Sequence, residues 1–357
     1  MEGKRLDFPD IAKGLGIIFV LFSHSCGFPI FGNAIVAFYM PMYFFVSGYV
    51  YKPGRSVSEN IRRRLRQLLI PYAGFTLLLY AEHIVVAAVK QELTAEALWK
   101  PLLGALYSRA LFYADLRADN IEFFTISNNP MWFITAMAVA SIIFYILAER
   151  FINSPKAAIV TTAVLAAITA VFTYCPVLMP WSLDTSFACA LFMLAGAWLG
   201  SRNYFGDENK ERFSFLFVCL AAVVYGIICE AAKPVNLSLR DYGYKGILGA
   251  VWFLAAAFAG IIIFLWLCRY MERFRWNKVF IIVGKHTFTI MCLHIVMIKY
   301  LNKIYFRLGF DFTRQSVWYW LYWIVVHIVI ITACIGFDKA VTWLKGRLGG
   351  CRWRKFQ

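Results

Sequence analysis

Lys13 and His24 are the residues whose types and spacing point most directly to chemistry. They share one apolar stretch, Asp10-Ile-Ala-Lys13-Gly-Leu-Gly-Ile-Ile-Phe-Val-Leu-Phe-Ser-His24. The interval between them is nearly a whole number of helical turns, so both side chains fall on one face, about 16 Å apart along the axis. Asp10 stands one turn before Lys13 on that face and is placed to pair with it. An ammonium and an imidazole on one stripe of a membrane helix are costly to bury and read as functional by default. A neutral imidazole titrates near neutrality and can act as a general base. The bland alternative for His24 is helix packing through a hydrogen bond to a neighbour.

Further candidates follow along the chain. Arg62, Arg63, Arg64 and Arg66 crowd the start of the third apolar segment. Such clusters enforce topology, but guanidiniums at a cavity mouth also hold phosphates in bidentate fashion. Coenzyme A, with its phosphate groups, suits that mouth. Ser47-Gly48 in the second segment is small enough for close helix packing, with Ser47 also a candidate substrate contact. Glu82 and His83 are adjacent within the third segment. They point about 100° apart on a helix, so at least one is expected to face protein. Glu82 is either an acceptor-site residue or the partner of an inward-facing cation. Trp132 opens the fourth segment, as an interfacial anchor or as an aromatic platform for a sugar. Lys285, His286 and the deeper His294 lie in the ninth segment; Glu230 and His327 are isolated polar residues in apolar runs. The nine cysteines are scattered without metal spacing and read as small buried residues, so neither a metal site nor a disulfide framework is expected.

The elements that must hold these residues are set by composition. Of 357 residues, 61% are hydrophobic, and the mean hydropathy is +0.64. Soluble domains are nearer half apolar. The excess falls in runs of roughly 18 to 23 residues, the length that spans a bilayer. About ten are visible: 11–30, 34–51, 67–89, 131–149, 157–175, 183–200, 213–231, 246–268, 279–298 and 316–338. Backbone in lipid must satisfy its own hydrogen bonds, so these runs are helices. The expected fold is an all-α integral membrane protein, a bundle of about ten transmembrane helices.

The net charge of +16 is distributed by topology. With the N-terminus inside, roughly two thirds of the 36 Lys and Arg residues fall on the inner side. This places both termini in the cytoplasm and argues for contact with anionic membrane lipid rather than nucleic acid. The first segment is expected to remain as an uncleaved helix, because Ser23-His24-Ser25-Cys26 is a poor cleavage site. Residues 1–338 read as one membrane domain, and 339–357 as a short basic cytoplasmic tail. Within the long loop 90–130, the stretch from Ala97 to Tyr113 is apolar with sparse charges. It suits an interfacial or re-entrant outer cap, with a plain loop as the alternative. No internal repeat of the kind that marks many transporters is evident.

These residues, in this order, resemble the membrane acyltransferase family 3, many of whose members O-acetylate bacterial surface glycans. The family's first-span mark is a basic residue, ten residues and then His, with Asp three residues before the basic one; Asp10, Lys13 and His24 match it. An Arg-x-x-Arg pattern follows the second span, matched by Arg63 and Arg66. Ser47-Gly48 resembles the end of the second span, and Pro71-Tyr72, Met131-Trp132-Phe133 and Leu293-His294 resemble later marks. The similarity covers nearly the whole chain. Most members carry Arg where this chain has Lys13. The form Asp-Ile-Ala-Lys-Gly resembles the branch named after fucose 4-O-acetylases. Lys keeps the charge and loses the bidentate fork, which leaves the role of Lys13 less fixed than that of His24.

The resemblance implies an O-acyltransferase in the bacterial cytoplasmic membrane, with acetyl-CoA as donor and no metal. Arg62, Arg63, Arg64 and Arg66 would hold the coenzyme's phosphates. His24 would deprotonate the acceptor hydroxyl or carry the acyl group transiently. Lys13, set by Asp10, would orient the pantetheine or neutralise developing charge. Ser47, Glu82, His83, Trp132 and His294 are the candidates for binding a carbohydrate or lipid-linked sugar acceptor. The hydrolase-like domain that some members append is not part of this chain, so the membrane domain is expected to deliver the acetyl group itself or hand it to a partner. The rival reading of the same charged residues, Lys13, His24, Glu82 and Lys285, is a transporter or flippase of a glycan-related or anionic molecule. The oligomeric state is left open by the sequence, a homo-oligomer included.

Overall fold

The apolar runs fold as helices. A computed structural model describes residues 6–114, 121, 130–206, 214–307 and 316–348. Among the described residues the α-helices are α1 (Phe8–His24), α2 (Gly32–Tyr49), α3 (Val57–Val89), α4 (Ala95–Tyr107), α5 (Trp132–Asn153), α6 (Pro155–Phe172), α7 (Leu183–Ser201), α8 (Phe215–Ala231), α9 (Gly246–Met271), α10 (Asn277–Lys285), α11 (Thr287–Arg307) and α12 (Val317–Leu348). Seven of them, α3, α5, α6, α7, α9, α11 and α12, are long and apolar enough to cross a membrane. Helices α1, α2 and α8 fill the other expected spans with 17 or 18 residues each. The protein is an all-α integral membrane bundle.

The buried share of each span sorts interior from periphery. It is 67% for α7 and 56% for α5, but 11% for α3 and 17% for α6. The peripheral helices present Leu77, Val85, Ile159 and Val160 outward, as helices facing lipid do. At the centre, α2 lies against α7 so closely that a side chain at Gly48 would overlap the Met193 carbonyl oxygen. Gly48 therefore serves packing, while its neighbour Ser47 faces the cavity described below.

One segment differs from expectation, and another takes the helical one of its two expected forms. The ninth span does not run through 279–298; it breaks at His286 into α10 and α11. The Thr287 hydroxyl donates to the Gly284 carbonyl at 2.8 Å and ends α10 locally. Asp338 of α12 then accepts from His286 Nδ1 at 2.7 Å and from the Thr289 hydroxyl at 2.5 Å. A carboxylate over the first turn of α11 suits the positive end of its dipole. Within 90–130, residues Ala95–Tyr107 form α4. It is tied along α3 by Tyr72, Tyr80 and His83, which bond to the carbonyls of Ala105, Leu98 and Ala97. Helix α4 exposes Leu98, Trp99, Leu102 and Leu106. The expected tail is helical up to Leu348, as the end of α12. Its remainder, the first five residues and the Asn128-Asn129 approach to the fourth span lie outside the described residues.

Candidate active site

Helix α1 is fixed at its start. The Glu272 carboxylate accepts from the backbone N–H of Asp7 at 2.9 Å and of Phe8 at 2.6 Å. Groups at this position have no partner inside the helix. Glu272 is itself paired with Arg269 of α9. One turn on, α1 crosses α10 at two glycines. A side chain at Gly14 would overlap the Phe280 carbonyl, and one at Gly284 the Asp10 carbonyl. Only glycine permits that approach, and it sets Lys285 on the same cavity as Asp10 and Lys13.

The cavity holds about 890 Å³, within the range of cofactor-sized sites. Its polar wall includes Asp10, Lys13, Ser47, Lys52, Arg64 and Lys285, and its apolar wall includes Tyr43, Phe133, Met137 and Met291. Lys13 Nζ lies 2.6 Å from Asp10 Oδ1, the pairing that the three-residue spacing calls for. The carboxylate is buried and the ammonium partly exposed. Arg64 donates to the Ser47 hydroxyl at 2.8 Å, while its Nε is buried without a hydrogen-bond partner. The Tyr43 hydroxyl donates to the Lys13 carbonyl at 3.0 Å. Four cations thus share a wall with one carboxylate, an arrangement that attracts anions.

Beyond Met291 stands a histidine pair. His24 closes α1 and His294 sits one turn past Met291 on α11; their ring centroids are 5.1 Å apart, with the planes inclined by 53°. His24 is exposed and His294 completely buried. The next residue, Ser25, donates to the Leu21 carbonyl at 2.7 Å and lies 2.8 Å from His327 Nε2 of α12. Helix α11 thus meets the end of α1 through a ring contact, and α12 meets it through the Ser25–His327 bond.

The sequence-derived candidates divide between this region and others. Asp10, Lys13, Ser47 and Arg64 line the cavity. Arg62, Arg63 and Arg66 do not; they project at least about 100° around α3 from Arg64. Glu82 accepts from the Tyr300 hydroxyl and lies 3.6 Å from Lys299 Nζ, joining α3 to α11. His83 bonds to α4. Trp132 lies under the Arg109 guanidinium at 5.9 Å, and its neighbour Phe133 reaches the cavity. Lys52 went unread as a site residue because charges in an inner loop are explained by topology.

A second polar cluster was also missed. Asp184 of α7 is fully buried and bridges two arginines at 2.5 Å each, Arg109 and Arg240. Arg109 also donates to the Ser238 carbonyl at 2.6 Å, and Arg240 to those of Phe172, Cys175 and Val177. Burial pushes the Arg109 pKa down, and the Asp184 carboxylate beside it acts in the opposite direction. The triad knits the loops after α4, α6 and α8 across the His24 end of the bundle. Asp184 falls at the start of the expected sixth span, and a carboxylate within an apolar run is itself the signal that identifies it.

Residues 6–338 match the acyltransferase domain of acyltransferase family 3. No curated protein and no solved structure matches the chain. The family match takes in every helix from α1 to α11, most of α12 and both the cavity and the histidine pair. The chain belongs to acyltransferase family 3 and is a membrane acyltransferase.

Proposed function

We propose that the protein is an O-acetyltransferase of the bacterial cytoplasmic membrane. It moves an acetyl group from acetyl-CoA to a hydroxyl of a surface glycan or lipid-linked sugar. The observation that carries this reading is the cationic cavity on Asp10–Lys13, which Met291 lines; the His24–His294 pair lies outside that lining, with His294 one turn beyond Met291 on α11. The cavity suits coenzyme A: Lys13, Lys52, Arg64 and Lys285 offer positive charge for its phosphates, and Tyr43, Phe133, Met137 and Met291 offer apolar surface for its arm. The excess of Lys and Arg at this end supports entry from the cytoplasm. Residues 1–338 act as the catalytic unit, and the basic tail rests on anionic lipid. Lys13 in the Asp-Ile-Ala-Lys-Gly sequence supports a place in the fucose 4-O-acetylase-like branch.

The roles follow from distance. Lys13 and His24 are about 16 Å apart along α1. Lys13 is therefore too far from the imidazole to neutralise charge at the reacting carbonyl, and it serves to orient the donor. His24 takes the proton of the acceptor hydroxyl. The freed oxygen attacks the thioester carbonyl, the carbon–sulfur bond breaks, and the departing CoA thiolate recovers the proton from His24. The ester stays on the sugar. Because Lys13 and His24 occupy opposite ends of α1, the donor and the acceptor approach from opposite sides of the membrane.

The reading is tested with purified protein in liposomes, acetyl-CoA labelled in the acetyl group, and a lipid-linked sugar extract. Label is expected on the sugar as a base-labile ester, and its appearance requires His24. Movement of sugar across the bilayer without consumption of acetyl-CoA contradicts the reading in favour of transport.

A further inference from the structure

We infer that His294 is the positioning residue of His24: its Nε2 accepts an N–H of the His24 imidazole and so fixes which His24 nitrogen faces the acceptor hydroxyl. This rests on the general-base reading of His24 given above.

The proton inventory of His294 follows from its partners. Nδ1 lies 3.0 Å from the Ile290 carbonyl oxygen and 2.9 Å from that of Met291. Carbonyl oxygens only accept, so Nδ1 carries hydrogen. The ring is completely buried, and among the described residues no carboxylate forms an ion pair with it. A second hydrogen, on Nε2, would make a buried and unpaired cation, which is expensive. His294 is therefore the neutral Nδ1–H tautomer, and its Nε2 carries a lone pair. That lone pair has no hydrogen-bond partner, a state that buried polar groups rarely keep without a reason.

The ring beside it is that of His24, at a centroid separation of 5.1 Å. The two differ in freedom. His294 is locked by two backbone carbonyls within α11, whereas His24 is exposed at the last residue of α1. Rotation of the His24 side chain brings a ring N–H onto the waiting acceptor. The fixed histidine then orients the movable one, in the way that a base needs a third group to set its tautomer.

The proton balance is closed by this arrangement. His24 gives one N–H to His294 and keeps the lone pair of its other nitrogen for the hydroxyl. After proton transfer His24 is an imidazolium with two N–H groups, one on His294 and one directed at the CoA thiolate. His294 keeps its single hydrogen throughout. Its hydrogen bond strengthens as charge develops on His24, so it acts on the chemical step rather than on donor binding.

The test compares His294→Asn, His294→Gln and His24→Ala in purified enzyme with acetyl-CoA and acceptor. Asn reproduces the Nδ1 donor and leaves nothing at Nε2, while Gln brings an amide oxygen near the Nε2 position. Both His294 variants are expected to insert and melt near wild type. His294→Asn should lower kcat by roughly tenfold or more with KM for acetyl-CoA unchanged, and His294→Gln should recover part of that loss. The inference is overturned by His294→Asn with wild-type kcat beside an inactive His24→Ala, or by equal losses in both His294 variants that track loss of folded protein. Wild-type activity in His24→Ala instead removes the general-base reading itself, and this inference with it.

Discussion

At the scale of single residues, the proposed mechanism separates binding from chemistry along one helix. Arg64 lines the cavity and donates there to the Ser47 hydroxyl. A hydrogen bond to a charged group contributes about 1.5–3 kcal/mol. Arg64→Ala is therefore expected to raise KM for acetyl-CoA about tenfold or more with kcat preserved, whereas Arg62→Ala changes KM little; steady-state kinetics on both variants decides it, and equal effects would contradict the assignment. Lys13→Arg keeps the charge beside Asp10 and should retain most activity, while Lys13→Met should weaken donor binding. The spacing of Asp10, Lys13 and His24 was legible in the sequence because all three lie on one helix, where azimuth follows from residue number. The choice of Arg64 over its neighbours was not, because it depends on how α3 is rotated against α2. The partner of His24 was equally hidden, since it comes from a helix whose start the hydropathy pattern misplaced.

At the scale of elements, the site depends on two backbones in contact. Gly14 and Gly284 let α1 and α10 meet, and that contact places Lys285 with Asp10 and Lys13. Gly284→Leu should force the helices apart and weaken acetyl-CoA binding by more than tenfold, read by titration of the purified protein. Gly336→Ala in α12, where a side chain meets nothing within 4 Å, is the control. It should leave binding intact and, by helix propensity, should not lower the melting temperature. Unchanged binding in Gly284→Leu would sink the argument. Hydropathy located the apolar elements well, since length and apolarity are local properties. It joined α10 to α11 because a Thr287 hydroxyl bond leaves no mark in hydropathy and the other anchor of the break, Asp338, comes from a distant helix that no local window contains.

At the scale of the whole molecule, the bundle has two differently built ends. One carries the cationic cavity; the other is closed by Asp184 between Arg109 and Arg240. Removing one member of a buried ion pair leaves an uncompensated charge and costs about 3–5 kcal/mol. Asp184→Ala should accordingly lower the melting temperature in detergent sharply, while Glu96→Ala, which removes an exposed pair with Lys100, should not. A bundle with a cationic cavity at one end and loops tied together at the other fits the proposed entry of a charged donor at the first. The most direct test of that account is release of free CoA from acetyl-CoA by the purified protein in lipid, with a glycan extract as acceptor, for wild type and for His24→Ala. The account predicts acceptor-dependent release by wild type alone. Release by neither protein, with both folded, or equal release by both, would contradict it.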